Sequence, residues 1–301
     1  MILGSGVRRF VLRLVPLAGA LLLSGCDWAV LDPKGPISDA NRQLLVDSVA
    51  IMLAIVVPTI IAVLAAAWWY RSSNTRAHYL PDFEYSGRLE LIVWAIPLLT
   101  IMLLGGVAWV GSHDLDPARP LASTKEPLNI QVVSLDWKWL FIYPDQHVAS
   151  VNRLVVPAGV PIHFMLTSGS VMTAFFVPQL GSMIYTMNRM QTQLHLAADE
   201  PGKFRGLATQ LSGDGFADMH FEVEAKTEPE FFEWLGQVRA QGEELTPERY
   251  IELSKQSVLP APITFRAVSD GLFEEVLNQT LPPGPGPIAE TNPGALKRMG
   301  K

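Results

Sequence analysis

The sequence predicts a membrane-anchored all-β protein: a two-helix transmembrane hairpin carrying a β-sandwich head, closed by a short helical arm. Three observations predict it. Residues 49–70 and 91–111 are two uncharged apolar runs. From Leu128 onward the apolar residues alternate with polar ones. After about residue 227 they return to helical spacing.

The amino terminus comes first. Arg8, Arg9 and Arg13 form a basic start, "LVPLAGALLL" is a short apolar run, and "LSGC" ends on Cys26. This is the layout of a secretory signal peptide, too short to span a bilayer comfortably. Small residues followed by cysteine resemble a bacterial lipoprotein cleavage box, which implies that residues 1–25 are removed and that Cys26 carries lipid. Asp27 behind it resembles the signal that retains lipoproteins in the inner membrane. The other reading of Cys26 is a buried cysteine at the end of a hydrophobic helix.

Residues 26–43 are expected to be a periplasmic segment and residues 44–111 a hairpin with spans near 47–70 and 89–111. Each run is about long enough to cross roughly 30 Å of hydrocarbon as a helix. Trp68, Trp69 and Tyr70 close the first and Trp109 lies near the end of the second, as interfacial aromatic residues do. Pro58 and Pro97 lie inside the spans, where neighbouring helices or water re-satisfy the freed carbonyls. Kinks and packing against further helices are expected. Arg71, Arg76 and Arg88 between the spans give a weak positive-inside bias. Parity is the stronger argument: a lipidated outer terminus and two spans return the chain to the periplasm.

In the head, Leu128, Ile130 and Val132 share one face, as do Ile162, Phe164 and Leu166, and Met219, Phe221 and Val223. Period two with one apolar face means half-buried strands. "PAGVP" and "EPGKF" supply turn chemistry. An antiparallel sandwich or Greek-key barrel over residues 125–226 is expected. The arm, residues 227–280, opens with Phe231, Trp234, Leu235 and Val238 near helical spacing. A second helix has Thr246 at its N-cap and Pro247 at its first position, without a full capping box because Arg249 stands three residues on. "SDGLFEEVLNQT" makes a third. The Pro/Gly-rich tail, residues 281–301, is expected to be disordered.

Composition removes several functions. The net charge of −6 disfavours nucleic acid as a partner. One cysteine among 301 residues excludes an intramolecular disulfide and any metal site that needs two thiolates. No Ser–His–Asp set, phosphate loop or zinc spacing stands out, so the chain alone is expected to have no catalytic activity.

The lipoprotein box, hairpin and periplasmic sandwich together resemble subunit II of the haem–copper oxidases, and the resemblance covers nearly the whole mature chain. "VMTAFFVPQLG" resembles the family stretch around its first copper-binding histidine, and "FRGLATQLSGDGFADM" its second copper stretch. That implies a cupredoxin-like head. Carried over residue by residue, the first histidine falls on Thr173, the two cysteines on Ala208 and Ser212, the carbonyl-donating glutamate on Gln210, and the second histidine on Phe216. Only Met219 keeps its identity. One thioether cannot replace two bridging thiolates and two imidazoles, so no metal or other cofactor is expected in this chain. Gly206, Gly213 and Gly215 suit a tight loop that needs positive φ.

A head without those ligands resembles the bo-type, ubiquinol-oxidising branch, as do "DWKWLFIYP" and "GSMIYTM". The resemblance implies a complex in the bacterial inner membrane that oxidises ubiquinol, reduces oxygen to water and pumps protons. Haems and a copper ion would sit in partner subunit I, other small membrane subunits would join it, and this chain would serve stability and assembly. Glu90, at the start of the second span, falls near the family's glutamate at the mouth of a proton channel; its other reading is an acid at a helix N-terminus. Trp137 matches the family's electron-entry tryptophan, but without copper it is expected to pack. Met183, Met187 and Met190 are expected to fill gaps, His195 and His220 to face solvent or a subunit, and Asp47 to sit at the periplasmic interface. Two alternatives stay open: a stand-alone periplasmic scaffold lipoprotein with the same head, and, remotely, a cytochrome c oxidase subunit II.

Overall fold

The computed structural model describes residues 29–78, 80–259 and 261–285. The signal peptide and Cys26 lie outside the described residues, as do residues 286–301 of the tail.

Two helices, α1 (Pro36–Trp69) and α2 (Gly87–Asp114), are long and apolar enough to cross a membrane. Neither buries its apolar surface within the chain, which suits helices solvated by lipid or by other helices. Both run on through their prolines, Pro58 and Pro97. The first helix starts well before the expected span, inside the segment assigned to the periplasm. Pro36 at its first position needs no amide partner, and its fixed φ favours helix initiation there.

That early start docks the helix on the head. Lys34 N–H donates to the Gln179 carbonyl (2.7 Å), and the buried Ser38 hydroxyl donates to the same oxygen (2.7 Å). Asp199 N–H returns a bond to the Lys34 carbonyl (2.9 Å). A Cβ on Gly35 would run into the Ala197 carbonyl, so only glycine lets the chain lie this close. The linker after α2 is tied down as well, by His195 N–H donating to the Pro117 carbonyl (3.0 Å).

The head is a sandwich of a seven-stranded and a five-stranded sheet. Its strands are β1 (Leu128–Leu135), β2 (Lys138–Tyr143), β3 (Val148–Val151), β4 (Arg153–Pro157), β5 (Ile162–Ser168), β6 (Thr173–Phe176), β7 (Ile184–Thr186), β8 (Thr192–Leu196), β9 (Gly202–Ala208), β10 (His220–Lys226), β11 (Glu243–Leu245) and β12 (Ile263–Val268). The larger sheet runs β11-β12-β3-β2-β1-β5-β8, the smaller β4-β10-β9-β6-β7. The sandwich is mixed rather than purely antiparallel: β1 pairs parallel with β5, β4 with β10, and β11 with β12.

The arm is not wholly helical. It contains α3 (Glu228–Ala240), α4 (Pro247–Leu253) and α5 (Leu272–Leu277), and its β11 and β12 extend the larger sheet past β3. The cause is legible in β2: Lys138–Tyr143 is buried at every position. A strand apolar on both faces needs cover on both. Trp139, Phe141 and Tyr143 face the main core, while Leu140 and Ile142 join a second core with Tyr250, Leu253, Phe265 and Phe273 of the arm. The start of the tail is ordered too: Leu281 packs on this second core, and Gly284 N–H donates to the Gly169 carbonyl (2.7 Å). The α3 face of Phe231, Trp234, Leu235 and Val238 is buried as its spacing implied, and Thr227 with Glu230 forms a capping box there.

Across β4 and β10, Arg153 makes a two-pronged contact with Glu224 (Nε–Oε1 2.8 Å, Nη2–Oε2 2.9 Å). Glu224 lies opposite the apolar face of β10, yet its side chain is only 8% exposed, whereas Arg153 retains 33%. The guanidinium bond holds the carboxyl at about 2, below its ordinary 4.5. A depressed carboxyl stabilises fully above about pH 4.5 and loses that contribution as pH falls towards 2. Glu224→Gln should therefore cost about 1 kcal/mol at neutral pH, after allowing for solvent around Arg153. The difference should vanish by about pH 2, as read by denaturant unfolding of the full chain in detergent. Gly35→Ala should loosen the joint between head and α1, costing about 1–3 kcal/mol. Faster amide exchange at Lys34 and Asp199, with the sandwich amides unchanged, is the expected signature.

Candidate functional site

One rim of the sandwich gathers the six positions that the resemblance led us to expect opposite copper ligands. Thr173 opens β6, Ala208 closes β9, Gln210 and Ser212 follow in the loop, Phe216 starts a single 3-10 turn, and Met219 precedes β10. Pairing of β6 with β9 (Phe175 opposite Ala208) and of β9 with β10 brings the three segments together.

The positions satisfy one another. The Thr173 hydroxyl donates to the Gln210 carbonyl (3.2 Å), and the Ser212 hydroxyl to the Met219 thioether (3.7 Å). Ala208 N–H donates to the Met219 carbonyl (3.1 Å). Thr173, Ala208, Ser212 and Met219 are buried, and Phe216 packs on the main core. Hydroxyls, an amide, a methyl and a phenyl ring are hard or apolar groups. They do not fit a dinuclear copper centre, which selects thiolate and imidazole donors. Among the described residues, no three of His, Cys, Asp or Glu are grouped to hold a metal ion.

Trp137 closes the rim. It occupies the turn between β1 and β2 with φ 65°, a left-handed conformation rare for an aromatic residue. Its indole N–H donates to the Ser212 carbonyl (3.2 Å), and its ring lies where a Cβ on Gly215 would be. The loop glycines thus divide. Gly213 alone of the three has positive φ (108°). Gly215 and Gly206 are needed for room, against the rings of Trp137 and Phe221.

Several side chains lie elsewhere than expected. His195 is buried, only 8% exposed, and stacks on His163 across the strand pair (centroids 4.5 Å, planes 7° apart). Burial lowers its pKa, the Pro117 carbonyl opposes that, and His163 reinforces it. His220 is exposed. Met183 and Met190 are exposed rather than gap-filling; Met183 accepts from the Thr209 hydroxyl (2.7 Å). Glu90 is exposed in the first turn of α2, its N–H bonded to the Ser86 carbonyl (3.0 Å).

The spacing rules overlooked Lys138. It is fully buried in β2, and its ammonium donates to the carbonyls of Lys255 (2.6 Å) and Ser257 (3.1 Å) and to the Ser257 hydroxyl (2.7 Å). Burial pushes its pKa down to about 8, with Asp136 pulling the other way. A lysine inside "DWKWLFIY" was the available signal, because a cation there needs carbonyl partners from another segment.

Residues 145–226 match the family model described as cytochrome c oxidase subunit II, periplasmic domain. The periplasmic domain of subunit II of cytochrome oxidase from Bradyrhizobium japonicum is 26% identical; the match covers 38% of this chain and 94% of that one, with a TM-score of 0.35. Cytochrome bo(3) ubiquinol oxidase subunit 2 of Pseudomonas aeruginosa is 46% identical over 268 residues, 89% of this chain and 81% of its own length. Ubiquinol oxidase subunit 2 of Acetobacter aceti is 46% identical over 270 residues, 89% and 87% of the two chains. The Buchnera aphidicola (Baizongia pistaciae) cytochrome bo(3) ubiquinol oxidase subunit 2 is 38% identical over 276 residues, 91% and 96%. Identity at this level along most of both chains means that this chain belongs to the ubiquinol oxidase subunit 2 family.

Proposed function

We propose that the chain is the non-catalytic subunit II of a terminal oxidase complex that oxidises ubiquinol and reduces oxygen to water. The observation that carries this reading is the rim itself. Six positions that hold copper in the cytochrome c-oxidising branch converge here, and they offer one thioether among hydroxyls, an amide, a methyl and a phenyl ring. A soluble electron donor would need a relay on the outer face. Ubiquinol is dissolved in the bilayer and delivers its electrons within the membrane part of the complex, so no relay is required in this head.

In this reading the haems and a copper ion belong to partner subunit I, and smaller membrane subunits complete the assembly. Cys26 carries the lipid anchor, the head and the amino-terminal segment face the periplasm, and the complex moves protons across the inner membrane. Glu90 stands at the cytoplasmic end of α2, where it collects protons for a channel in subunit I. The chain contributes a folded platform, two helices for docking, and that carboxylate.

Purification of the affinity-tagged chain in mild detergent is expected to bring down a haem-bearing membrane subunit with ubiquinol:oxygen activity. The preparation should lack the near-infrared absorption of a mixed-valence copper pair. A colourless monomer would favour the scaffold lipoprotein instead, and a stoichiometric copper pair would overturn the reading. Glu90→Ala in the complex should slow proton uptake and turnover several-fold, and Glu90→Asp should recover most of both. Unchanged uptake in Glu90→Ala removes the channel role and leaves an ordinary helix-terminal acid.

A further inference from the structure

Away from the rim, the larger sheet carries a pair of imidazoles on the face turned from the main core. His163 of β5 stands directly opposite His195 of β8 in the antiparallel register, and the rings stack with centroids 4.5 Å and planes 7° apart. Lone pairs lie in the plane of an imidazole, so two parallel rings do not aim theirs at a common point, and the pair is no metal clamp. The partners of the rings differ. His163 Nδ1 lies 3.2 Å from the Asn129 amide oxygen and Nε2 lies 3.3 Å from the Gln193 amide oxygen. The Asn129 amide is oriented by its own donation to Asp145 (3.3 Å). A proton on either nitrogen of His163 therefore meets an acceptor. His195 Nδ1 lies 3.3 Å from the Pro117 carbonyl, so Nδ1 carries the hydrogen of the neutral ring, and Nε2 is the nitrogen that takes an added proton.

The place of His195 ties the pair to the hairpin. Pro117 belongs to the linker after α2, and its carbonyl accepts from the backbone N–H of His195 (3.0 Å) as well as from its ring. Two residues further on, the Ala197 carbonyl is the surface against which Gly35 lies, and Asp199 N–H holds the Lys34 carbonyl (2.9 Å). One end of β8 thus grips both chain crossings between head and hairpin.

Two stacked imidazoles accommodate one positive charge. A second sets like charges about 4.5 Å apart beside a buried ring, where water screens them poorly. The charged groups on the elements packed around the pair are Asp114, Asp116 and Arg119 of the linker, Asp145 behind Asn129, and Glu274 of α5, which the Gln131 amide reaches at 3.5 Å. Asp114 is taken up by Arg119 (3.1 Å), and the Asp116 carboxylate accepts from Ala118 N–H (2.9 Å). The charge that acts on His195 is that of His163. Burial first, and then that charge, hold His195 below its ordinary 6.5. A histidine lowered in this way binds fewer protons folded than unfolded, so it favours the closed arrangement fully above about pH 6.5 and less as pH falls below it.

We infer that the stacked pair is an acid-sensitive clasp between the head and its hairpin: it closes with at most one proton, and a second, taken at Nε2 of His195, parts the rings and loosens the linker and α1 from the end of β8. The inference stands on the β5–β8 register and the two crossings, and it does not depend on the oxidase reading.

The test uses the full chain in detergent with its six histidines labelled at Cε1 and titrated by NMR. His163→Phe keeps a ring to stack on and removes the second charge. In the wild type the pair should titrate in two steps more than about one pH unit apart. In His163→Phe, His195 should titrate in one step at higher pH. Amide exchange, corrected for the intrinsic effect of pH, gives a second reading. Between about pH 7 and 5, protection at His195 and Asp199 should fall several-fold in the wild type and hold in His163→Phe, with the amides of β1 and β2 steady in both. His163→Gln, equally unable to take a charge, should give the same exchange result. A His195 titration unchanged by His163→Phe overturns the coupling. Wild-type protection that holds in acid, or that falls as far in His163→Phe and His163→Gln, overturns the clasp.

Discussion

The aromatic cluster between the two sheets is the interaction on which the head depends. Trp139 meets Phe175 edge-on (5.3 Å between centroids), Phe175 stacks on Phe221 (5.1 Å, 18°), and Phe141 and Phe164 close the group at 5.1 and 5.4 Å. Each of these rings is fully or almost fully buried, and such rings contribute most of a core's apolar burial. Their neighbours in sequence build the rim. Phe175 follows Thr173 by two residues, Phe221 follows Met219 by two, and Trp139 follows Trp137 by two. Thr173 and Phe175 both lie in β6, so with a period of two they share a face of that strand, while Trp137 and Met219 stand immediately before β2 and β10 and are carried by those strand ends. Fixing the cluster therefore fixes where the rim residues emerge.

This explains how the rim loop can hold its form through packing. The shape is set by strand pairing beneath it, by glycines that make room for rings, and by Trp137 bonded to the Ser212 carbonyl. The hydroxyls of Thr173 and Ser212 then meet acceptors within the loop. Buried polar groups with local partners carry little desolvation cost. A metal would have supplied cross-links among these same segments; packing and short polar contacts supply them here.

The sequence made the hairpin, the alternating strands and the α3 face readable, because each rests on one local period. That a site with two thiolates is excluded was readable because the cysteine count is a fact of composition. What was less legible depends on contacts between distant segments. Glu224 looked like an outward residue in an alternating strand, and only Arg153 on a parallel neighbour makes its burial tolerable. The arm looked helical because β11 is three residues long and β12 is half-buried along most of its length, which is too weak a pattern to stand alone. His195 looked exposed because no period announces a linker lying across a strand. Lys138 was overlooked because its acceptors lie in a segment more than a hundred residues away.

The unbroken course of α1 has a mechanical consequence. A head joined to its membrane helix by a flexible tether can tumble, and its height above the lipid averages over many orientations. Here the same continuous helix that is long and apolar enough to cross a membrane begins against Gln179 and Ser182 of the sandwich. Tilting the helix therefore tilts the head, and the two turn as a single lever. Whatever sets the angle of the hairpin among its neighbours also sets which side of the β-domain is presented along the membrane surface.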